Sequence, residues 1–322
     1  MTLSSFLREW NDDSDMLLVH TSGSTGTPKP MYVEKRRMEA SARMTLQFLG
    51  LKPHDTALLC MPLDYIAGKM VVVRSLVGDL QLTDVGAVGH PMADEAAGDQ
   101  SLDFAAMVPL QVYNSLSVEK ERKRLMAIRH LIIGGGAVDK AVEAQLRDFP
   151  HAVWSTYGMT ETLSHIAMRR ISGSDASEWY TPLAGVTVSQ GADQCLVIDA
   201  PSVCATPVVT HDIVEFAPNG KDFKVIGRKD NVICCGGVKI QAEQVEELLR
   251  PYIRSPFMIG KSDDEKFGEI PVLVIESDDT RYLPELFARV LPKYWTPKKI
   301  VSVSALPLTE TGKPIRDLRF EI

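Results

Sequence analysis

The sequence predicts an α/β protein built from a large N-terminal α/β domain of layered sheets and helices and a smaller α+β C-terminal domain. Three observations carry that prediction. Short apolar runs alternate with helical patterns through the first half, the rhythm of a mostly parallel sheet flanked by helices. From about Val186 the runs shorten and turn residues crowd between them. At GRKDN, 227–231, charge and glycine interrupt two apolar runs, which sets the boundary between domains 1–228 and 229–322. A chain of 322 residues is comfortable for two such domains.

Each element has a local reason. LLVH (17–20) reads as a buried strand, and the pattern from Lys35 to Leu49 as a helix. TALLC (56–60) is a strand and Ala67 to Val77 a helix. FAAMV (104–108), HLIIG (130–134) and AVWST (152–156) continue the buried strands, as apolar runs with no polar face. Asp139 can N-cap a helix running to Asp148, with Val142, Leu146 and Phe149 on one face. CLVID, TPVVT, DIVEF and FKVIG are short strands. The C-terminal part reads as a helix at Ala242 to Leu249, the strand PVLVIE, a helix near Leu283 to Leu291 and a Pro-rich tail.

Composition excludes several classes. Apolar content of 45% and charge of 24% are ordinary for a globular protein. A net charge of −7 argues against broad nucleic-acid binding, which needs a basic face. MTLSSFLREWNDD has no basic n-region and no long apolar core, so it does not read as a signal peptide. The most apolar stretch, Met70 to Val77, is broken by Arg74 and is too short to span a bilayer. The five cysteines, Cys60, Cys195, Cys204, Cys234 and Cys235, include no CxxC spacing. They predict a reducing cytoplasm with neither a disulfide frame nor a zinc site, and Cys234–Cys235 as two small buried hydrophobes.

TSGSTGTPK, behind the first strand, concentrates chemistry. Thr21, Ser22, Ser24 and Thr25 supply hydroxyls, Gly23 and Gly26 allow close backbone approach, and Lys29 adds a full positive charge. Such a loop suits phosphate, although GxxxxGK[ST] is absent. Its order resembles the phosphate loop of the acyl-adenylate-forming family of acyl-CoA synthetases, luciferases and carrier-loading adenylation domains. Five further stretches follow in that family's order: IGGGAV (133–138), YGMTE (157–161), THD (210–212), GRKDNVICCGGVKI (227–240) and ETGKPIR (310–316).

The resemblance implies roles. Gly134, Gly135 and Gly136 lie beside the adenine, Tyr157 stacks on it next to Gly158, Thr160 approaches the phosphates, and Glu161 holds Mg²⁺, which favours hard oxygen. Asp212 accepts from the ribose hydroxyls and Arg228 reads the same sugar. Asp230 is the hinge, with Gly236, Gly237 and Lys239 beside it toward CoA. Lys313 stabilises the charge that builds as a carboxylate attacks the α-phosphorus, and it reaches the site only if a mobile C-terminal domain docks over the larger one. ATP, Mg²⁺ and CoA are thus the implied cofactor and co-substrates. The other partner is a small carboxylic acid, with no nucleic acid and no membrane insertion.

The chain also departs from the family. The phosphate loop begins near residue 20 where relatives carry a long preceding region, so the exposed face calls for a partner or a second copy. His211 replaces the usual glycine of TGD, Pro30 a glycine of the phosphate loop, and Tyr65 the histidine of the acyl-gate motif in MPLDYIAGKM. MPLDYIAGKMVVVRSL and YGMTETLSHIAM are most similar to the o-succinylbenzoate–CoA ligases of menaquinone biosynthesis. That substrate keeps a second carboxylate, which needs a cation. Arg74 and Lys69, on the helix after Tyr65, are the candidates, with Ser164 and His165 beside them. The implied activity is ATP-dependent formation of o-succinylbenzoyl-CoA. The alternatives are a ligase for another aromatic or short-chain acid, transfer to a carrier-protein thiol, and a truncated nucleotide-binding relative without catalysis.

Overall fold

The computed structural model describes residues 1–20, 30–97, 102–308 and 314–316. It has two compact units: 1–189 with 197–208 and 216–224, and 190–196 with 209–215 and 225–322.

The first unit opens with helix α1 (Leu3–Trp10), N-capped by Thr2, whose side chain accepts from Ser5 N. β1 (Met16–His20) and β2 (Pro30–Glu34) pair antiparallel as a separate two-stranded sheet, in register Leu18↔Tyr32. LLVH is thus a strand as expected, but only half-buried, and it lies outside the main sheet. Its strand pattern alternates exposed and buried residues, as a half-covered ribbon requires. α2 (Lys35–Leu49) ends at Gly50, whose φ of +66° is the left-handed C-terminal stop that glycine adopts without strain. β3 (Thr56–Leu59), α3 (Ile66–Gly78), β4 (Gln81–Asp84) and β5 (Phe104–Met107) follow. α4 (Pro109–Leu116), α5 (Glu119–Met126), β6 (His130–Ile133), α6 (Lys140–Leu146), β7 (Ala152–Gly158), β8 (His165–Arg170) and β9 (Thr181–Pro182) complete the unit's main sheet. Asp139 caps α6 as expected, its Oδ1 accepting from Ala141 N at 2.8 Å.

The main sheet runs β4-β3-β5-β6-β7-β8-β9. Its first five strands are mutually parallel, β8 pairs antiparallel with β7, and β9 pairs antiparallel with β8. β3, β5 and β6 are buried almost throughout, which is why they read as continuous apolar runs. α3 packs on β3 and α2 on α3.

β10 (Thr187–Gln190), β11 (Cys195–Asp199), β12 (Val208–Phe216) and β13 (Phe223–Arg228) form a four-stranded sheet in chain order. A single turn at Lys229–Asn231 then leads to β14 (Val232–Cys235) and β15 (Val238–Gln241). Gly236 and Gly237, both at positive φ, turn this hairpin. α7 (Ala242–Leu249), β16 (Phe257–Asp264), β17 (Gly268–Ile275), α8 (Leu283–Val290) and β18 (Lys299–Ser302) close the chain's order of elements. The sheet is β15-β14-β17-β16, with β18 added parallel to β17. Val245, Leu249, Leu286 and Phe287 pack on it to form the second unit's core. Cys235 joins this core, whereas Cys234 is exposed on the other face of β14, as alternation along a strand dictates.

Candidate active site

The first group forms where β6 and β7 end. Gly134 N donates to Met107 O at 3.0 Å, and a Cβ on Gly134 would stand 2.6 Å from Thr156 Oγ1. Gly135 has φ +82°, so IGGG turns sharply against β7 as only glycine permits without strain. One residue past Thr156, the Tyr157 ring meets Phe223 edge-on at 5.2 Å and lies 5.9 Å from Tyr180. Tyr180 is held by its hydroxyl against Ser155 Oγ (2.8 Å) and by reciprocal backbone bonds with Phe223. This aromatic wall behind Tyr157 carries no motif, and sequence reasoning missed it.

Gly158 is required by backbone contact. A Cβ there would lie 2.2 Å from Ser164 O and 2.5 Å from His165 Cα, where β7 and β8 shift register. The loop between them carries Thr160, buried, and Glu161, exposed, in one tight turn over Thr160–Thr162. Leu163 closes it at φ +63°, a conformation that costs a β- or γ-branched residue about 1–3 kcal/mol and that clusters at functional sites. Thr162 stabilises it: its Oγ1 accepts from Met159 N at 3.0 Å and donates to Ser164 O at 2.7 Å. Thr162 is fully buried, and no sequence signal marked it.

The second group links α3 to that turn. Arg74, 2% exposed, sits in the apolar helix and its Nη2 donates to Ser164 Oγ at 2.5 Å. Its Nε is buried without a hydrogen-bond partner among the described residues. Burial with no acid beside it pushes the guanidinium down to about 9. Ser164 Oγ lies 3.3 Å from His165 Nδ1, and His165 Nε2 lies 2.9 Å from Thr45 Oγ1. Burial, and then the Arg74 charge, hold His165 well below the ordinary histidine range, so it is a neutral hydrogen-bonding link. Lys69 lies elsewhere. Its Nζ contacts Met1 Sδ at 3.3 Å and stands 5.3 Å over the Phe6 ring of α1. Tyr65 is half-buried at the N-terminus of α3, and Gly68 admits Pro62 O where a Cβ would approach to 2.3 Å.

The third group lies within the second unit. Arg228 forks between two acids, Nη1 to Asp212 Oδ1 at 3.0 Å and Nη2 to Asp230 Oδ2 at 2.9 Å. His211 Nδ1 contacts both Asp230 oxygens, at 2.9 and 3.0 Å. Despite partial burial, which acts the other way, the bonds from His211 and Arg228 hold the Asp230 carboxyl below its usual range. At Gly227 a Cβ would stand 2.4 Å from the Gln241 side-chain Nε2, which would have to move aside. Lys239 is exposed, opposite Cys234 in the hairpin.

Thr21, Ser22, Gly23, Ser24, Thr25, Gly26, Lys29 and Lys313 lie outside the described residues. No helix among the described residues is long and apolar enough to cross a membrane.

The model of the AMP-binding enzyme family matches residues 6–207, well over half of the chain. The chain belongs to the AMP-binding enzyme family. A curated 2-succinylbenzoate–CoA ligase from Bacillus thuringiensis is 25% identical over 343 residues, covering 97% of this chain and 71% of that protein. Among solved structures, an acyl-CoA synthetase (AMP-forming)/AMP-acid ligase II-like protein from Dyadobacter fermentans is 35% identical, with a TM-score of 0.66. That match covers 97% of this chain and 91% of the other, so the two share nearly their whole span. The o-succinylbenzoate–CoA synthetase of Bacillus subtilis, solved with ATP and magnesium, superposes with a TM-score of 0.75 at 21% identity. It covers 93% of this chain and 68% of that one, and speaks for the fold. Family and mixed α/β architecture are therefore those that the ordered motifs imply.

Proposed function

We propose that this family member is an ATP-dependent acid–CoA ligase whose substrate is o-succinylbenzoate, the acid activated on the way to menaquinone. The observation that carries the substrate is Arg74. A buried guanidinium with no acidic partner among the described residues is costly unless a ligand supplies the anion. A dicarboxylate does so with the carboxylate that is not activated. Arg74 lies against Ser164, three positions after Glu161, so the anion site adjoins the segment assigned to phosphates and metal.

The substrate carboxylate attacks the α-phosphorus of ATP, pyrophosphate leaves, and the CoA thiol then displaces AMP from the acyl-adenylate. Asp212 and Arg228 bind the ribose, Tyr157 and Gly134 to Gly136 the adenine, and Lys313 stabilises charge at the α-phosphorus. Exposed Glu161 suits Mg²⁺, which takes one or two carboxylates together with substrate phosphates; no cluster of three ligating side chains exists among the described residues. When bound, Mg²⁺ neutralises phosphate charge. The two half-reactions assign residues 1–228 to nucleotide and acid binding and 229–322 to a domain that turns about Asp230.

Acid-dependent exchange of pyrophosphate into ATP over a panel of carboxylic acids tests this. Exchange strongest with o-succinylbenzoate supports the assignment. Exchange with other acids only leaves the ligase and removes the substrate. No exchange with any acid overturns both.

A further inference from the structure

The second unit contains an ion pair with no part in the chemistry above. Glu246 on α7 and Arg316, in the segment that follows Lys313, meet in a two-pronged pair: Nη2 donates to Oε2 at 2.8 Å and Nη1 to Oε1. Their side chains are only 7% and 15% exposed. Both also hold Ile259 on β16, whose N–H donates to Glu246 Oε1 at 2.6 Å and whose carbonyl accepts from Arg316 Nη1 at 2.7 Å. β16 is an edge strand, and among the described residues no strand pairs its outer side. The pair thus satisfies two main-chain groups that another strand would otherwise take. Beside it, Leu308 and Pro314 form an antiparallel bridge and Ile315 N donates to Pro307 O at 2.9 Å. The chain on the two sides of residues 309–313 is therefore tied together, and Arg316 bolts that tie to the sheet.

We propose that Glu246 and Arg316 are positioning residues for Lys313, fixing the base from which it reaches the α-phosphorus. The proposal rests on the ligase reading. Their geometry suits the task, because a planar fork bound at two oxygens and a carbonyl fixes direction as well as distance. A shift of about 1 Å in a catalytic group can cost roughly 100-fold in rate. The surrounding core, including Val245, Leu249 and Ile259, is made of apolar side chains outside the pair, so loss of the pair is expected to displace the segment rather than the fold.

The test compares both half-reactions in Arg316→Lys, which keeps the charge but not the fork, and in the double variant Glu246→Leu/Arg316→Met, which leaves no unpaired buried charge. Acyl-adenylate formation should fall about 100-fold in each. Thioester formation from chemically supplied acyl-adenylate and CoA should stay within about twofold, since that step does not use Lys313. Hydrogen exchange should rise in peptides spanning 303–316 and stay unchanged in those spanning 232–241. Equal losses in both half-reactions, or unchanged adenylation, would overturn the proposal. If the wild type forms no adenylate with any acid, the ligase reading fails. Exchange at 303–316 then decides alone, and unchanged protection there rejects the anchoring. If Lys313→Ala leaves adenylation intact, the role of the lysine fails instead.

Discussion

Replacing Arg74 with methionine separates a binding role from a packing role. The side chain lies wholly inside the first unit, and burial pushes its guanidinium down to about 9, so its charge is disfavoured in the ligand-free protein. Methionine has a similar length, fills irregular space well and removes that penalty, at the cost of one hydrogen bond to Ser164. Arg74→Met should therefore melt at the same temperature as the wild type or higher. The dicarboxylate substrate should nevertheless lose the equivalent of about 2–5 kcal/mol in kcat/KM, roughly 30- to 4,000-fold, because its second carboxylate would enter a buried site with no partner. A monocarboxylate of the same ring size should lose under about tenfold, and KM for ATP should hardly move. Arg74→Lys should recover part of the loss, since an ammonium restores charge but not two parallel bonds. Pyrophosphate exchange with both acids, beside thermal melts, decides the matter. Equal losses for the two acids, or a melt lowered by many degrees, would refute the reasoning and make Arg74 structural.

Other outcomes follow from the same geometry. Binding the dicarboxylate must raise the Arg74 pKa from about 9, so binding takes up a proton above that pH. Calorimetric affinity should fall as pH rises through about 9, toward tenfold per unit, while the monocarboxylate gives a flat profile; a flat profile for both would exclude the charge. Gly158→Ala forces a Cβ into Ser164 O and should cost about 1–3 kcal/mol of stability while weakening ATP binding through the displaced Tyr157 and Glu161, measurable by melting and nucleotide titration. Lys313→Ala should slow acyl-adenylate formation by several orders of magnitude and leave thioester formation from supplied adenylate nearly intact. Matching losses in the two steps would refute that division of labour.

Much of the fold was legible because parallel strands covered on both faces leave unbroken apolar runs. TALL, FAAM and HLII were read as strands on that ground, and Asp139 announced its helix. Where a helix holds on by one or two residues, the pattern failed. α1 buries only Phe6, and in α5 (EKERKRLM) Leu125 is the only buried apolar residue, so neither has a visible stripe. LLVH looked like the core strands because its alternation is hidden: the exposed positions of β1, Met16 and Leu18, are themselves apolar. Within the site, Arg74 stood out as a cation inside MVVVRSLV. Lys69 looked equivalent, because its contact with α1 spans more than sixty positions and leaves no local trace. The Glu246–Arg316 pair, seventy positions apart, was invisible for the same reason.

The strengths of these contacts differ in a way that matters to a two-step ligase. Removing one partner of a buried, two-pronged pair such as Glu246–Arg316 costs about 3–5 kcal/mol, because the other charge is left buried and unpaired. The contacts of Asp230 are of another kind. His211 and Asp230 are 58% and 43% exposed, and Arg228 is 37% exposed. Exposed ion pairs are worth roughly 0–1 kcal/mol each and weaken with salt. If Asp230 is the pivot proposed above, contacts of this kind can be released and remade with little change in free energy. The family's glycine at position 211 would offer Asp230 no side-chain partner. The histidine here adds one, an exposed contact at 2.9 and 3.0 Å, so the departure in THD changes which groups steady Asp230 at a cost small enough for the proposed turn.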